Sequence, residues 1–210
     1  MNDTELERYS RHILLNEFDI VSQEKLSSAT ALMIGCGGLA NACAPILASA
    51  GLGHIIVCDG DTIELSNLQR QFAFTEADIG KRKAEVLKTY LQARNSQIQI
   101  SSIHQFVDET FLHDCLPQCD VIIDCSDNSR TRHLINRLAV QHRIPLISAS
   151  VIQFSGQLAV FDSRNQQSPC YACLFPQEIQ QENTCTKNGV YAPLVHIIGA
   201  AQAAETIKTI

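Results

Sequence analysis

The chain has 210 residues, of which 45% are hydrophobic and 18% charged, and its formal net charge is -6. This composition predicts a globular protein with room for one α/β domain, and the negative charge argues against non-specific nucleic-acid binding. No run of about 18 apolar residues indicates a membrane span, and the polar, acidic N-terminus is not typical of a signal peptide. We therefore expect a cytoplasmic protein that binds neither nucleic acid nor membrane.

Nine cysteines are many for this length. Without a secretory signal they favour a reducing compartment, with thiol or metal chemistry rather than a disulfide framework. Six lie in or beside apolar runs, and we expect these to be small core residues: Cys36, Cys43, Cys58, Cys115, Cys119 and Cys125.

Helices and strands alternate in the first half of the chain. An amphipathic helix over Thr4 to Leu15 precedes a buried strand over Ala29 to Ile34 and a small-residue helix over Leu39 to Ala50. A second buried strand, His54 to Asp59, ends on an acid. The next segment, residues 59–74, is polar and lacks clean periodicity, which is typical of a functional loop.

A helix is predicted from Asp78 to Arg94, with Lys81, Arg82 and Lys83 in its first turn. Cations are unfavourable at a helix start, so we expect solvent or an anionic ligand to offset them.

The alternation continues through the second half. We predict a strand over Gln97 to His104 and a short helix over Asp108 to Leu116. A buried strand follows over Asp120 to Cys125, then a helix over Arg130 to His142 and a second buried strand over 144–150. The last predicted elements are a different kind of strand over Gly156 to Phe161 and an Ala-rich helix from about Leu194. This order indicates an α/β fold: a doubly wound, mainly parallel, Rossmann-like sheet with helices on both faces. We expect one domain over residues 1–210, with a nucleotide-binding part at about 20–150 and a cysteine-containing extension at about 151–210.

A glycine-rich turn follows the first buried strand. Gly35 allows a tight turn, Gly37 and Gly38 let the backbone approach a phosphate, and Ala40 permits close packing of helix and strand. The free N–H groups and dipole of the following helix favour an anion. Glycines after a strand also often only make a turn, and that alternative stays open for this segment alone.

Further polar residues follow the ends of several strands, where ligands of such folds bind. Asp59 lies 24 positions after Gly35, close to where a ribose-binding acid is expected. The other residues of this set are Asn67, Arg70, Lys83 and Asp127. Two cations and an amide suit a triphosphate, and a carboxylate suits Mg²⁺. Any one of these residues could be an ordinary surface side chain. The prediction of a triphosphate site therefore depends on their joint placement after strand ends.

Six segments occur in an order that resembles a known family: GCGGLA, DGDTIELSNLQRQ, IGKRKAE, DCSDN, PCYACLFP and TCTKNGVYAPLVHIIGA. Together they resemble the ubiquitin-activating-enzyme-like adenylyltransferases of thiamine and molybdopterin biosynthesis, the ThiF/MoeB/HesA family. The resemblance implies a homodimer that uses ATP and Mg²⁺ to activate the C-terminal Gly-Gly carboxylate of a small ubiquitin-like sulfur-carrier protein. The product is an acyl-adenylate, formed with release of pyrophosphate ahead of thiocarboxylate formation.

The resemblance also implies roles for individual residues. Asp59 would hold the ribose, Asn67, Arg70 and Lys83 would contact phosphates, and Asp127 would carry Mg²⁺. Arg11, the arginine of YSRH, would reach the phosphates of the partner subunit. The remaining members of the implied nucleotide site are Gly35, Gly37, Gly38, Asp61, Ser66 and Asn128.

The cysteines near the C-terminus are the last feature that the resemblance interprets. Cys170-x-x-Cys173 would be half of a tetrahedral Zn²⁺ site, which family members close with a second such pair that this sequence lacks up to Ile210. A truncated or natively short chain, an incomplete site, and two free thiols without metal all stay open. The pair argues against the tRNA-modifying dehydratase branch.

Cys185 lies where thiamine-branch members can carry a cysteine that bonds covalently to the carrier. A thiol near an acyl-adenylate could form a thioester, and Lys187 could lower its pKa. Covalent use of Cys185 and a bystander role are both open.

Two other functions fit parts of the sequence. An NAD-dependent oxidoreductase explains Gly35 to Asp59 but gives no role to Lys83 or Asp127. A non-catalytic half of an activating enzyme would keep the fold and only recruit the carrier. The sequence specifies neither the carrier and its pathway nor the sulfur donor, for which a cysteine desulfurase or a sulfurtransferase is a candidate partner.

Overall fold

A computed structural model describes residues 1–176 and 189–210. Its helices are α1 (Asp3–Ile13), α2 (Ile20–Ser28), α3 (Gly38–Ala50), α4 (Lys83–Arg94), α5 (Glu109–Cys115), α6 (Ser129–His142), the short α7 (Tyr171–Leu174) and α8 (Ala192–Thr209). Its strands are β1 (Thr30–Ile34), β2 (His54–Cys58), β3 (Gln99–Ile103), β4 (Val121–Asp124), β5 (Leu146–Ile152) and β6 (Ser155–Phe161). Short 3₁₀ turns cover Leu65–Asn67, Glu76–Asp78 and Leu116–Gln118.

The strands form one sheet in the order β3-β2-β1-β4-β5-β6. The first five are parallel, and β6 pairs antiparallel with β5 through a tight hairpin. This is the strand order of dinucleotide-binding folds. In such folds the order of successive strands reverses between β1 and β4, and a crevice forms there beyond the strand ends. The prediction of a doubly wound, mainly parallel sheet is confirmed.

Both faces of the sheet are covered by helices because its strands are apolar on both sides. Along β1, Ala31 and Met33 belong to the core that includes α3, α4 and α8, whereas Leu32 and Ile34 belong to the core that includes α5 and α6. The six cysteines predicted to be core residues are all buried.

The helices α3 and α8 pack unusually closely. A Cβ atom on Gly199 would stand 2.6 Å from the Cβ of Ala42 and 2.7 Å from the carbonyl oxygen of Leu39. Only glycine permits this approach, which brings α8 against the helix that begins at the glycine-rich turn. Within the described ranges, no helix has the length and apolar character that a membrane crossing requires.

One helix was not predicted. In α2, the carboxylate of Asp19 accepts a hydrogen bond from the backbone N–H of Ser22 and so caps the helix start. The segment has no clear apolar stripe, and only Gln23 and Leu26 are buried, so periodicity gave no signal.

The predicted start of α4 at Asp78 is wrong. Asp78 ends a 3₁₀ turn, and α4 begins five residues later at Lys83. The side chain of Lys81 pairs with Asp78 at 2.8 Å, and that of Arg82 pairs with Glu85 at 2.9 Å. Carboxylates of the chain itself therefore offset these two cations, and only Lys83 lies in the first turn.

Candidate functional site

The glycine loop, residues 35–38, joins β1 to α3 at the strand ends. Gly35 has φ +90°, and a Cβ there would lie 2.8 Å from the carbonyl oxygen of Cys125. Gly37 precedes α3 as its N-cap, and no side chain caps the helix there. The first N–H groups of a 13-residue helix are therefore open to an anion.

Asp59 connects β2 to this loop. One carboxylate oxygen accepts a hydrogen bond from the N–H of Cys36 at 2.6 Å, and the other accepts one from the N–H of Asp61 at 2.7 Å. Burial raises the pKa of this carboxyl group, and the two N–H donors partly offset that effect. Because each carboxylate oxygen has a second lone pair, Asp59 can still accept hydrogen bonds from a ribose.

Lys83 brings a positive charge to the same edge of the sheet. Its side chain is 9% exposed, and its Nζ atom pairs with a carboxylate oxygen of Asp61 at 2.9 Å. Its backbone N–H also donates to the carbonyl of Asp61, at 3.1 Å. The Lys83 side chain is therefore already ordered, so little further conformational entropy would be lost when it binds an anion. Asp61 is its counter-ion, and an incoming phosphate would compete with Asp61 for the ammonium group.

The segment between these two residues folds into the 3₁₀ turn Leu65–Asn67. Buried Asn67 accepts a hydrogen bond from the N–H of Glu64 at 3.0 Å, and the guanidinium of Arg70 donates to the carbonyl of Ser66 at 3.0 Å. The hydroxyl of Ser66 donates to a carboxylate oxygen of Glu64 at 3.3 Å. Asn67 thus builds the turn, and Arg70 extends along it beside Gly38, where a Cβ would lie 3.4 Å from the Cγ of Arg70.

The loop after β4 carries Asp127 and Asn128. Asp127 is exposed, whereas the side chain of Asn128 accepts a hydrogen bond from the N–H of Thr131 at 2.9 Å and caps α6. Arg132 donates to the carbonyl of Ser126 at 2.5 Å and ties this helix back to the loop. An exposed carboxylate that follows a strand end is the kind of group that could hold Mg²⁺, which takes one or two carboxylates with phosphate oxygens and water.

Asp124, the last residue of β4, was not singled out in the sequence. It is fully buried and accepts hydrogen bonds from the N–H of Ser126 at 3.0 Å, the hydroxyl of Ser126 at 2.6 Å and the hydroxyl of Ser148 at 2.8 Å. The side-chain amide of Gln202 in α8 donates to the carbonyls of Asp124 and Ile147 at 2.9 and 3.0 Å. This network fixes the loop that presents Asp127.

Asn41 is a second buried polar residue that sequence reasoning missed. Its Nδ2 atom donates to the carbonyls of Cys36 and Gly37, both at 3.0 Å, and its Oδ1 accepts from the N–H of Ala73 at 2.8 Å. Asn41 therefore joins the glycine loop to the chain just beyond Arg70. The signal was present only as a polar residue inside an otherwise apolar helix.

The start of α8 supports the site from behind. A Cβ on Gly38 would meet Val195 at 2.7 Å, so glycine is needed there for α8 to pack. The ring of His196 stacks on Phe72 with centroids 4.1 Å apart, and its Nε2 lies 3.2 Å from the carbonyl oxygen of Arg70. Hydrogen bonds and packing contacts thus bring five features together beyond the strand ends: the glycine loop, Asp59, Lys83, Arg70 and the loop after β4. This is where the strand-end argument expects a ligand crevice.

Arg11 does not join this crevice. It lines a cavity of about 420 Å³ together with Arg8, Pro45 and Ser49, between α1 and the second half of α3. The cavity-lining residues Pro45 and Ser49 lie about 10 and about 16 Å from Gly38 along the axis of α3. Within one chain, Arg11 and the glycine loop are therefore separate.

Cys170 and Cys173 also lie elsewhere, because Cys170 is the N-cap of α7 and Cys173 lies within that helix, next to α6. Their sulfur atoms are 3.7 Å apart, and the amide of Asn136 donates to the sulfur of Cys170 at 3.6 Å. Two ligands at about 2.3 Å from a tetrahedral zinc ion stand about 3.8 Å apart, so the pair fits half of such a site. Among residues 1–176 and 189–210, no three candidate ligands cluster as a metal site would require. Cys185 falls outside the described residues.

The sequence matches the ThiF family over residues 9–210. The chain belongs to the ThiF family. It is 41% identical over 208 residues to the sulfur carrier protein ThiS adenylyltransferase of Escherichia coli, a match that covers 99% of this chain and 82% of that protein. To the molybdopterin-synthase adenylyltransferase of the same organism it is 38% identical, with 99% and 83% covered.

Longer proteins also match this ThiF family chain. It is 44% identical to the adenylyltransferase and sulfurtransferase MOCS3 of Anopheles gambiae, where the match covers 100% of this chain and 48% of that protein. Among solved structures, E. coli MccB with ATP superposes with a TM-score of 0.82 at 33% identity, over 99% of this chain and 64% of that one. The chain thus spans about half the length of the MOCS3 proteins and less than two thirds of MccB.

Proposed function

We propose that this protein is an ATP-dependent adenylyltransferase that activates the C-terminal Gly-Gly carboxylate of a small ubiquitin-like sulfur-carrier protein. The observation that carries the proposal is the contact of three features beyond the strand ends: the open N-terminus of α3, the carboxylate of Asp59 and the lysine paired with Asp61. This combination suits a nucleoside triphosphate better than a dinucleotide, which needs no lysine such as Lys83. Both E. coli relatives are named as adenylyltransferases, one of the sulfur carrier protein ThiS and the other of molybdopterin synthase, and these names support the same reaction.

In this reaction a carboxylate oxygen of the carrier attacks the α-phosphorus of ATP. A new O–P bond forms, the bond from the α-phosphorus to the bridging oxygen breaks, and pyrophosphate leaves with the electron pair. The attacking carboxylate is ionised at neutral pH, so the protein needs no general base. Its contribution is positioning and the neutralisation of phosphate charge.

The residues of the crevice divide this work. Asp59 orients the ribose, and the open N-terminus of α3 receives the phosphate next to it. Lys83 exchanges its bond to Asp61 for a phosphate oxygen, and Arg70 can turn from the Ser66 carbonyl to the outer phosphates. Asn67 holds the turn that carries Arg70. When bound, Mg²⁺ would be held by Asp127 and would neutralise charge on the phosphates.

A second copy of the chain would complete the site. Arg11 lines a cavity at the second half of α3 and not at its own glycine loop, so its role on phosphates would be met in a homodimer in which it faces the partner's crevice. Cys170 and Cys173 would form half of a structural zinc site. A sulfur donor, either a cysteine desulfurase or a sulfurtransferase, would act on the adenylated carrier.

Carrier-dependent exchange of labelled pyrophosphate into ATP tests the proposal. We expect exchange by the purified chain only when a carrier ending in Gly-Gly and Mg²⁺ are both present. Lys83→Ala and Asp127→Ala should abolish it, whereas Lys88→Ala, further along α4, and Asp114→Ala, exposed on α5, should not. Near-normal exchange in either of the first two variants would refute the assigned roles. Reduction of NAD with no exchange would refute the function.

A further inference from the structure

Gln71 has an unusual environment for a glutamine. It is 3% exposed, and its Oε1 atom has no hydrogen-bond partner among the described residues. In the described ranges, the side-chain oxygen of Gln23 also lacks a hydrogen-bond partner, but the amide nitrogen of Gln23 donates to the carbonyl of Ala50 at 2.9 Å. A buried polar group without its partner costs free energy, and native proteins keep few of them outside functional sites.

The amide of Gln71 lies against the open face of the glycine loop. Its Nε2 is 3.9 Å from the position that a Cβ on Gly37 would take, and no other atom comes within 4 Å of that position. Gly37 is also the N-cap of α3, where no side chain meets the first N–H groups. The amide nitrogen of Gln71 and the helix N-terminus therefore border the same space.

The backbone holds Gln71 firmly in this place. Its N–H donates to the carbonyl of Asn67 at 3.0 Å, and its carbonyl accepts from the N–H of Phe74 at 3.1 Å. Asn41 ties the next turn to the glycine loop through Ala73. The Nε2 atom also has no hydrogen-bond partner among the described residues, so its N–H groups are free to donate to a group that this part of the chain does not supply.

The position also indicates which phosphate would occupy this space. Asp59, the ribose-binding acid of the proposed function, accepts its hydrogen bond from Cys36, the residue immediately before Gly37. The phosphate closest to the ribose is the α-phosphate, and it therefore falls at Gly37.

We propose that Gln71 is a catalytic residue whose Nε2–H donates a hydrogen bond to a non-bridging oxygen of the α-phosphate. The inference rests on the proposed function and deepens it. Negative charge builds on the non-bridging oxygens as the carrier oxygen bonds to phosphorus and pyrophosphate departs, so the hydrogen bond strengthens in the transition state. Gln71 would then act mainly on kcat and little on ATP binding.

Gln71→Met tests this proposal, because methionine has a similar length and no hydrogen-bonding amide. We expect kcat for carrier-dependent exchange to fall about 100-fold, with KM for ATP within about threefold of the wild-type value. The melting temperature should stay the same or rise, because the variant removes a buried oxygen that has no partner. Gln69→Met, an exposed glutamine of the same segment, is the matched control and should leave kcat unchanged.

Two outcomes would overturn the role of Gln71 alone. One is wild-type kcat in Gln71→Met. The other is a melting temperature more than about 5 °C below wild type, which would mark Gln71 as a structural residue. Absence of exchange in the wild-type protein would instead refute the proposed function, and the role of Gln71 with it.

Discussion

Substitution of Gly35 by alanine should damage the glycine loop in two separable ways. Alanine at φ +90° costs about 1–2 kcal/mol, because its Cβ approaches the backbone too closely in that conformation. The Cβ would also stand 2.8 Å from the carbonyl oxygen and 3.0 Å from the carbonyl carbon of Cys125, both backbone atoms that cannot rotate away. Relieving this overlap should cost a further ~1–3 kcal/mol.

Gly80 provides the matched control. It has φ +85°, but no atom lies within 4 Å of the position its Cβ would take. Gly80→Ala therefore carries only the conformational cost, and the difference between the two variants isolates the contact with Cys125. For a chain of this length, we expect Gly35→Ala to melt about 2–12 °C below Gly80→Ala.

Thermal denaturation followed by circular dichroism, repeated with and without ATP and Mg²⁺, measures both consequences. The overlap can be relieved only by moving the glycine loop or the loop after β4, so Gly35→Ala should also lose the stabilisation that ATP gives the wild-type protein. Gly80→Ala should keep it. Equal stability of the two variants, within about 0.5 kcal/mol, would show that the glycine loop and β4 do not meet as described.

Three further predictions concern other parts of the chain. Asn41→Leu removes the three hydrogen bonds that join the glycine loop to the chain beyond Arg70. It should lower the urea midpoint by an amount that corresponds to a loss of about 2–5 kcal/mol in the free energy of unfolding. An unchanged midpoint would contradict this hydrogen-bond network. The pKa of Asp78 is lowered from 3.8 to about 2, mainly by its hydrogen bond with Lys81, so the stability that its charge contributes is present above about pH 4 and is lost as the pH falls towards 2. Asp78→Asn should therefore melt below wild type at pH 7, with a deficit that narrows below pH 4, and a deficit that is constant with pH would exclude the charge as its cause. Metal analysis of the purified protein should give at least half an equivalent of zinc, which Cys170→Ser should remove, and a lower content in the wild-type protein would reject the zinc assignment.

Hydrophobic periodicity and residue spacing predicted most helices and strands, because both patterns depend on residues that are close in sequence. The alternation of buried strands and helices fixed the fold class, and the glycines and Asp59 follow strand ends as a dinucleotide-type fold requires. The start of α4 was misplaced because the pairing of Lys81 with Asp78 supports a turn that no apolar pattern marks. Helix α2 was missed because its contacts with the core are few.

The buried polar residues of the site could not be predicted, since their partners lie far away in sequence. Asn41 bonds to a residue 32 positions later, and Gln202 bonds to one 78 positions earlier. Gln71 was visible within the SNLQRQ segment, but only the fold shows that its amide is buried against Gly37. The distance of Arg11 from its own crevice likewise follows from tertiary packing and not from any spacing.

The bond from Gln202 to Asp124 and Ile147 has a consequence for the order in which the protein acquires its activity. During synthesis, the five parallel strands leave the ribosome well before α8, so they can pair while the buried ends of β4 and β5 still lack the amide that joins them. Docking of α8 supplies that amide and, through Val195 and His196, closes the back of the glycine loop. We therefore expect a nascent chain to bind nucleotide poorly until this helix has been translated.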